Sequence, residues 1–285
     1  MCCTEDIGRA EGSCEVLENY AALRQPKMLH VSTCPGTVIQ NPHKHQSVRM
    51  KVHFHLVIVA TTVLMSVTLG QDDGCLRGER HKPSPSLETS MSECFLYSNS
   101  SCCYGNMTEK LVSPVIRVEN TKWNICQNLS ESCETFMKKI ECFYQCSPQA
   151  AHWMNPDYPA GLLHVPLCAS FCDRWFNACK DELTCAKNWL TDFKWDKDSN
   201  HCQHDCVPFS KMYSNGTDLC QSMWGQSFTE SSSNCRCLQM EDQDTVVLPF
   251  ILHTDSSSTN TEWNQEKSCK EALLRHKKLS TDDKE

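Results

Sequence analysis

Residues 165–195 read VPLCASFCDRWFNACKDELTCAKNWLTDFKW. Cys168, Phe171, Cys172, Trp175, Phe176 and Cys179 recur at helical spacing. The stretch therefore predicts an amphipathic helix whose buried stripe is built of sulfur and aromatic carbon. Pro166 lies just before it, where proline suits a helix start. Upstream, Cys133, Phe136, Ile140 and Phe143 or Tyr144 repeat the same spacing and predict a second helix. Between the two, SPQAAHWMNPDYPAG (147–161) is rich in turn residues. The other segments are short and bounded by Asn, Asp, Ser and Gly, and no internal repeat is visible. The expected fold class is mainly α with short β-strands.

The 22 cysteines fall into two groups. Cys2, Cys3, Cys14 and Cys34 lie in the first 50 residues, and the other 18 run from Cys75 to Cys269, an even set that allows nine bridges. Between the groups stands MKVHFHLVIVATTVLMSVTLG (50–70). Lys51 supplies a positive start, Leu56 to Leu69 is largely apolar, and Thr68 and Gly70 are the small residues of a cleavage site before Gln71. That run of 14 residues is short for a bilayer span, which needs about 20. We read 50–70 as a secretory signal peptide with Met50 as initiator, and 1–49 as an upstream extension absent from the mature protein. In an oxidising compartment the 18 cysteines are bridges. A zinc site at Cys202 and Cys206 with His201 and His204 is the alternative, but these cysteines belong to the larger even set. Cys102 and Cys103 are adjacent and must reach different partners. The pairs 142/146, 168/172 and 202/206 are spaced four apart, so on a helix each would share one face.

Residues 71–285 carry 21 Lys+Arg against 30 Asp+Glu, a net of −9, with no basic run. Such a chain is a poor nucleic-acid ligand. No G-x-S-x-G, H-E-x-x-H or Gly-rich phosphate loop occurs, and bridged cysteines supply no nucleophile, so we expect no enzyme and no catalytic cofactor. Four N-x-[ST] sequons mark expected surface positions: Asn106 and Asn215, which take threonine third, and Asn99 and Asn128. After Met240 the chain has one apolar patch and then a Ser/Thr-rich polar stretch, expected to be mobile. The end ALLRHKKLSTDDKE (272–285) is charged and lacks the apolar tail of a glycolipid-anchor signal, so no membrane anchor is expected. All seven tryptophans follow residue 70, with Trp189 and Trp195 in NWLTDFKW and Trp224 in QSMWGQSF.

The segments ECFYQCSP (141–148), 165–195, NGTDLCQSMWGQSF (215–228) and CRCLQM (235–240) strongly resemble the folate receptor family, in its branch that carries riboflavin for egg-laying vertebrates. The likeness covers nearly all of 75–240 and, more loosely, the tail to Cys269; all 18 cysteines match in order. It implies one disulfide-rich, folate-receptor-like domain over 71–240, with a deep vitamin pocket and a tail, 241–285, tethered through Cys269. It implies the pairs Cys75–Cys102, Cys94–Cys142, Cys103–Cys146, Cys126–Cys206, Cys133–Cys179, Cys168–Cys237, Cys172–Cys220, Cys185–Cys202 and Cys235–Cys269. It implies a flavin ring stacked between Tyr144 and Trp224, with Trp189 and Phe193 as pocket walls. At Phe193 an avian member of that branch has tryptophan, so the resemblance implies an altered wall there. Trp195 aligns with a folate-receptor pocket tryptophan.

The function this implies is a secreted, monomeric riboflavin carrier for storage and transport, for example to the oocyte. Folate is the rival ligand. The family's pterin-binding aspartate, twelve residues before the cysteine of W-N-x-C, is replaced by Pro114, and a pocket histidine by Leu190. An egg-surface adhesion receptor without a vitamin is a further alternative, and the Tyr144 and Trp224 pair counts against it. An oocyte uptake receptor would be a partner. The avian tail used in uptake is crowded with phosphoserines in acidic context, whereas HTDSSSTNTEWNQE (253–266) has no S-x-E pattern, which puts that partner in doubt. N-terminal sequencing of the secreted protein is expected to start at Gln71, and its peptide map to contain nothing from 1–49.

Overall fold

The first long helix, α1 (Glu131–Cys146), begins where Ser130 can end an extended segment and accept a hydrogen bond from the Cys133 amide. Glu131 and Glu134 in its first turn suit the positive end of the helix dipole. Glu134 is buried: its carboxylate accepts from the Val115 amide and the Ser113 hydroxyl, and Lys138 lies one turn on at 3.7 Å. In this computed structural model, residues 74–252 and 259–282 are described, and they belong to one compact unit. The upstream extension, the signal peptide and the polar residues 253–258 lie outside the described residues.

Helix α2 (Ala169–Cys179) buries Phe171, Cys172, Trp175 and Cys179, the stripe set by the sequence spacing. It packs on α1 and on α3 (Gly216–Ser222). Asn215 caps α3 by accepting from the Asp218 amide at 2.9 Å. Gly216 explains how closely α2 and α3 approach. A Cβ there would stand 2.6 Å from the Cys172 carbonyl and the Asp173 nitrogen, so only glycine fits.

Strands are short, and every sheet among the described residues has two strands. Strand β1 (Tyr158–Leu162) pairs with Met154–Asn155. Strand β2 (Val165–Cys168) runs parallel to β3 (Phe228–Ser231), in register from Val165↔Phe228 to Cys168↔Ser231. The parallel pairing needs a crossover. Helices α2 and α3 lie on that connection. Pro166, expected at a helix start, is instead the second residue of β2. Its carbonyl accepts from the Leu238 amide at 2.8 Å, and its missing N–H is harmless in so short a ladder. The helix begins three residues later, after Cys168 in extended conformation.

The bridges are Cys75–Cys102, Cys94–Cys142, Cys103–Cys146, Cys126–Cys206, Cys133–Cys179, Cys168–Cys237, Cys172–Cys220, Cys185–Cys202 and Cys235–Cys269, with Cα separations of 4.4–5.9 Å. Cys102 and Cys103 reach different partners. Of the pairs spaced by four, 142/146 lies within α1, and 168/172 straddles the start of α2. The pair 202/206 is not helical: it follows the hairpin strand Asn200–His201. Each bridge contributes about 2–4 kcal/mol in the chain-entropy picture.

The tail forms α4 (Asp244–Leu252) and α5 (Thr259–Asp282), while the Ser/Thr-rich centre of the stretch expected to be mobile, 253–258, lies outside the described residues. Residues 250–285 contain no glycine or proline, and Glu266–Lys270 and Glu271–Arg275 pair at i,i+4, which supports a helix. The Asp244 carboxylate accepts from the amides of Gln239 and Met240 at 2.8 Å and so fixes the turn into α4. Burial pushes its pKa up to about 6, against those hydrogen bonds. Gly216→Val is expected to force α2 and α3 apart at a cost of ~1–3 kcal/mol. Thermal unfolding should show the loss, and alkylation should find Cys172 and Cys220 partly unbridged.

Candidate ligand-binding site

Four of the five aromatic residues singled out by sequence form one run of ring contacts. Asn188 builds the turn that starts it. Its side chain accepts from the Leu190 amide at 2.9 Å, and its own amide donates to Asp192 at 2.8 Å. The turn delivers the Trp189 amide to the Met223 carbonyl at 2.8 Å, next to Trp224. Trp189 and Trp224 then meet at 5.9 Å between ring centroids, tilted by 59°. Trp189 meets Phe193 at 5.6 Å, and Phe193 meets Trp195 at 6.0 Å, both edge to face. The Trp189 indole donates to the Thr184 hydroxyl at 3.3 Å. Trp195 is half-buried and the other three rings are buried.

Trp224 sits at the end of α3, just before Gly225, whose φ of +58° turns the chain back toward β3. A Cβ at Gly225 would lie 3.3 Å from Leu190, so the turn is closely packed on the Asn188 loop. The turn is also pinned to the β1–β2 connection, where the amides of His164 and Val165 donate to the carbonyls of Gln226 and Ser227, each at 2.9 Å.

Tyr144 comes from α1. Its hydroxyl donates to the Ala160 carbonyl of β1 at 3.0 Å, so residues 160–165 lead from the tyrosine's tip to the tryptophan's turn. Tyr144 and Trp224 make no ring contact with each other among the described residues. The ring neighbour of Tyr144 is His81, edge-on at 5.4 Å. His81 Nε2 lies 3.1 Å from the Tyr144 carbonyl. A carbonyl only accepts, so Nε2 carries the proton and Nδ1 is an acceptor. Burial pushes the His81 pKa down. Next to Tyr144 in the chain, Gln145 donates to the buried Glu141 at 2.9 Å, and burial pushes the Glu141 carboxyl up. His81 Nδ1, Gln145 Oε1 and the Trp224 indole N–H are buried with no hydrogen-bond partner in the protein.

The two aromatic residues are 8 and 4 % exposed. Cavities of about 700 Å³, between α4 and α5, and about 170 Å³, under Tyr97, are lined by none of the five aromatics. Sequence reasoning missed His81, which sits in no motif, and Gln145, which lies inside ECFYQCSP but was given no role. The family resemblance that singled out Tyr144 in ECFYQC was the signal that pointed to their neighbourhood. The sulfurs of Cys126, Cys185, Cys202 and Cys206 lie within 4.8 Å of one another. All four are consumed in two bridges and offer no thiolate to a metal. His201 is paired instead with Asp196 at 2.8 Å. Asn99, Asn106, Asn128 and Asn215 are all exposed.

The sequence pattern of the folate receptor family matches residues 74–239, more than half of the chain. The chain belongs to the folate receptor family. Within the folate receptor family it is 53 % identical over 212 residues to a riboflavin-binding protein of Dromaius novaehollandiae, covering 73 % of this chain and 89 % of that one. It is 57 % identical over 188 residues to a riboflavin-binding protein of Gallus gallus, covering 65 % and 79 %. A human protein, folate receptor gamma, is 28 % identical over 176 residues, covering 58 % and 72 %.

The neutral His81 carries a pH consequence. Its lowered folded pKa means the unfolded chain takes up the proton first, so this contribution to stability is complete above the ordinary value of 6.5 and falls as pH drops below it. Denaturant titrations at pH 7 and pH 5 are expected to show the loss, and His81→Gln to reduce it.

Proposed function

We propose that the protein is a secreted, non-catalytic riboflavin carrier that holds one flavin between Tyr144 and Trp224. The observation that carries this reading is that each proposed stacking ring is backed by a second ring, Tyr144 by His81 and Trp224 by Trp189. A flat tricycle entering between them would meet two rings, each held in place by an edge-on or tilted neighbour. The two relatives at 53 and 57 % identity are riboflavin-binding proteins, which supports the same ligand. Phe193 and Trp195 extend the wall behind Trp189.

The energetics suit the task. Covering both faces of the flavin buries on the order of 200–300 Å², about 5–8 kcal/mol of apolar transfer. Ring geometry adds ~0.5–1.5 kcal/mol per aromatic neighbour. Association costs several kcal/mol, and nanomolar binding needs about −12 kcal/mol net, so the polar edge must contribute. Riboflavin's imide N–H is a donor. His81 Nδ1 and Gln145 Oε1 are the buried acceptors near Tyr144 that lack a partner. Supplying one recovers part of the ~1–3 kcal/mol that an unpaired buried group costs. Binding of this kind stores and moves a vitamin, so no transition state has to be stabilised.

The mature chain in this reading runs from Gln71 as a monomer, with glycans on Asn106 and Asn215 and further sites at Asn99 and Asn128. Glycosylation at the Asn215 amide nitrogen would leave Oδ1 free to cap α3. Titration with riboflavin is expected to quench flavin and tryptophan fluorescence together at one-to-one stoichiometry. Trp224→Ala should weaken binding by at least a hundredfold. Tight folate binding without flavin quenching would overturn the assignment.

A further inference from the structure

Of the four sequon asparagines, only Asn99 lines a cavity described above, the one of about 170 Å³ under Tyr97. The space opens between the short turn Phe95–Tyr97, residues 147–149 after α1, and α4. Its apolar walls are Leu96, Tyr97, Phe143, Leu238 and Leu248. On the same turn Phe95 is 63 % and Leu96 40 % exposed. An apolar cleft bordered by exposed apolar side chains is a surface that takes up a partner.

The backbone at Asn99 is firmly held. The stretch that carries it runs from Cys94, bridged to Cys142 in α1, to Cys102, bridged to Cys75. Between them the amides of Ser98 and Ser100 donate to the carbonyls of Phe95 and Tyr97, each at 3.1 Å. Ser101 exchanges both backbone hydrogen bonds with Ser86, at 2.8 and 3.1 Å. A sugar attached to Asn99 therefore starts from a fixed point at the rim of the cleft.

We propose that a glycan on Asn99 folds back over this cavity, with its first N-acetylglucosamine seated against Leu96, Tyr97 and Leu248. That sugar is amphipathic: its ring faces and acetamide methyl present C–H groups, while its hydroxyls stay at the edge, in water. The cavity has the volume of about five or six waters, which suits part of one sugar residue and not a segment of protein. A free apolar ligand or a second copy of this chain would use the same surface. A tethered sugar competes with either from an effective concentration in the millimolar range, and the rest of the glycan stands in their path. Because the walls come from both the 95–97 turn and α4, the seated sugar would also hold α4 to the domain. The proposal rests on the secreted, glycosylated reading of the chain and is independent of the flavin.

The test uses the full chain secreted from a eukaryotic host. Glycopeptide mapping is expected to find Asn99 occupied along with Asn106 and Asn215. An endoglycosidase that leaves one N-acetylglucosamine on each site should leave uptake of the apolar dye anilinonaphthalene sulfonate unchanged. An amidase that removes the last sugar should raise dye uptake several-fold and lower Tm by about 2–4 °C. Asn99→Gln should show the raised uptake from the outset and gain nothing further from the amidase. In the unaltered protein, cross-relaxation is expected between the acetamide methyl and the methyls of Leu96 and Leu248. Nine closed bridges by mass spectrometry certify the variant, and the enzymatic series on the unaltered chain decides the point if the variant misfolds. Glycans on Asn106 and Asn215 with Asn99 bare, dye uptake indifferent to the Asn99 sugar, or a first sugar out of reach of both leucines would each overturn this proposal alone. A chain bare at all four sequons would overturn the secreted reading with it.

Discussion

Three disulfides converge on the start, middle and end of α2, and the rest of the domain is arranged around that fact. Cys168, at its N-terminal cap, is tied to Cys237; Cys172 is tied to α3; Cys179 is tied to α1. An eleven-residue helix would be marginal alone in water. Here it is fixed covalently to three separate stretches of chain. The Cys172–Cys220 bridge requires backbones in near contact, which Gly216 permits. The Cys168–Cys237 bridge holds the chain where Leu238 exchanges hydrogen bonds with β2, beside the parallel pairing of β2 and β3.

The aromatic site inherits its geometry from this hub. Trp224 is four residues beyond Cys220, and Tyr144 lies between Cys142 and Cys146, each bridged to a different residue. Neither residue relies on packing alone for its position. The hydrogen bonds of residues 160–165 to Tyr144 on one side and to the Trp224 turn on the other add a second, non-covalent tie. In the proposed flavin site, walls placed this rigidly would lose little freedom when the ligand enters, which keeps the ordering cost of association low.

The helices were legible because sulfur and aromatic residues recur at 3.6-residue spacing, and burial follows that period whatever the partner. The role of Pro166 was not legible: proline before a helical stripe reads as a start, and only the distant Phe228–Ser231 segment makes it a strand. Cys202 and Cys206 have helical spacing, but their loop is shaped by two neighbouring bridges with sulfurs 4.0 Å apart. The tail was read from its Ser/Thr content, while its helix rests on later ion pairs and on Cys269. In the site, Trp189 and Trp224 are 35 residues apart in sequence, and their contact depends on one amide reaching the Met223 carbonyl. His81 lies 63 residues from Tyr144 and belongs to no motif. Residue types marked the neighbourhood of the candidate site, but contacts between distant segments leave no periodic trace.

The Cys235–Cys269 bridge closes a covalent ring that contains α4 and the start of α5. A protease that cuts anywhere between those two cysteines opens the ring without detaching α5. The cleaved protein keeps its full mass until a reductant acts, so in an oxidising fluid the helix would outlast a break in the main chain that leads to it.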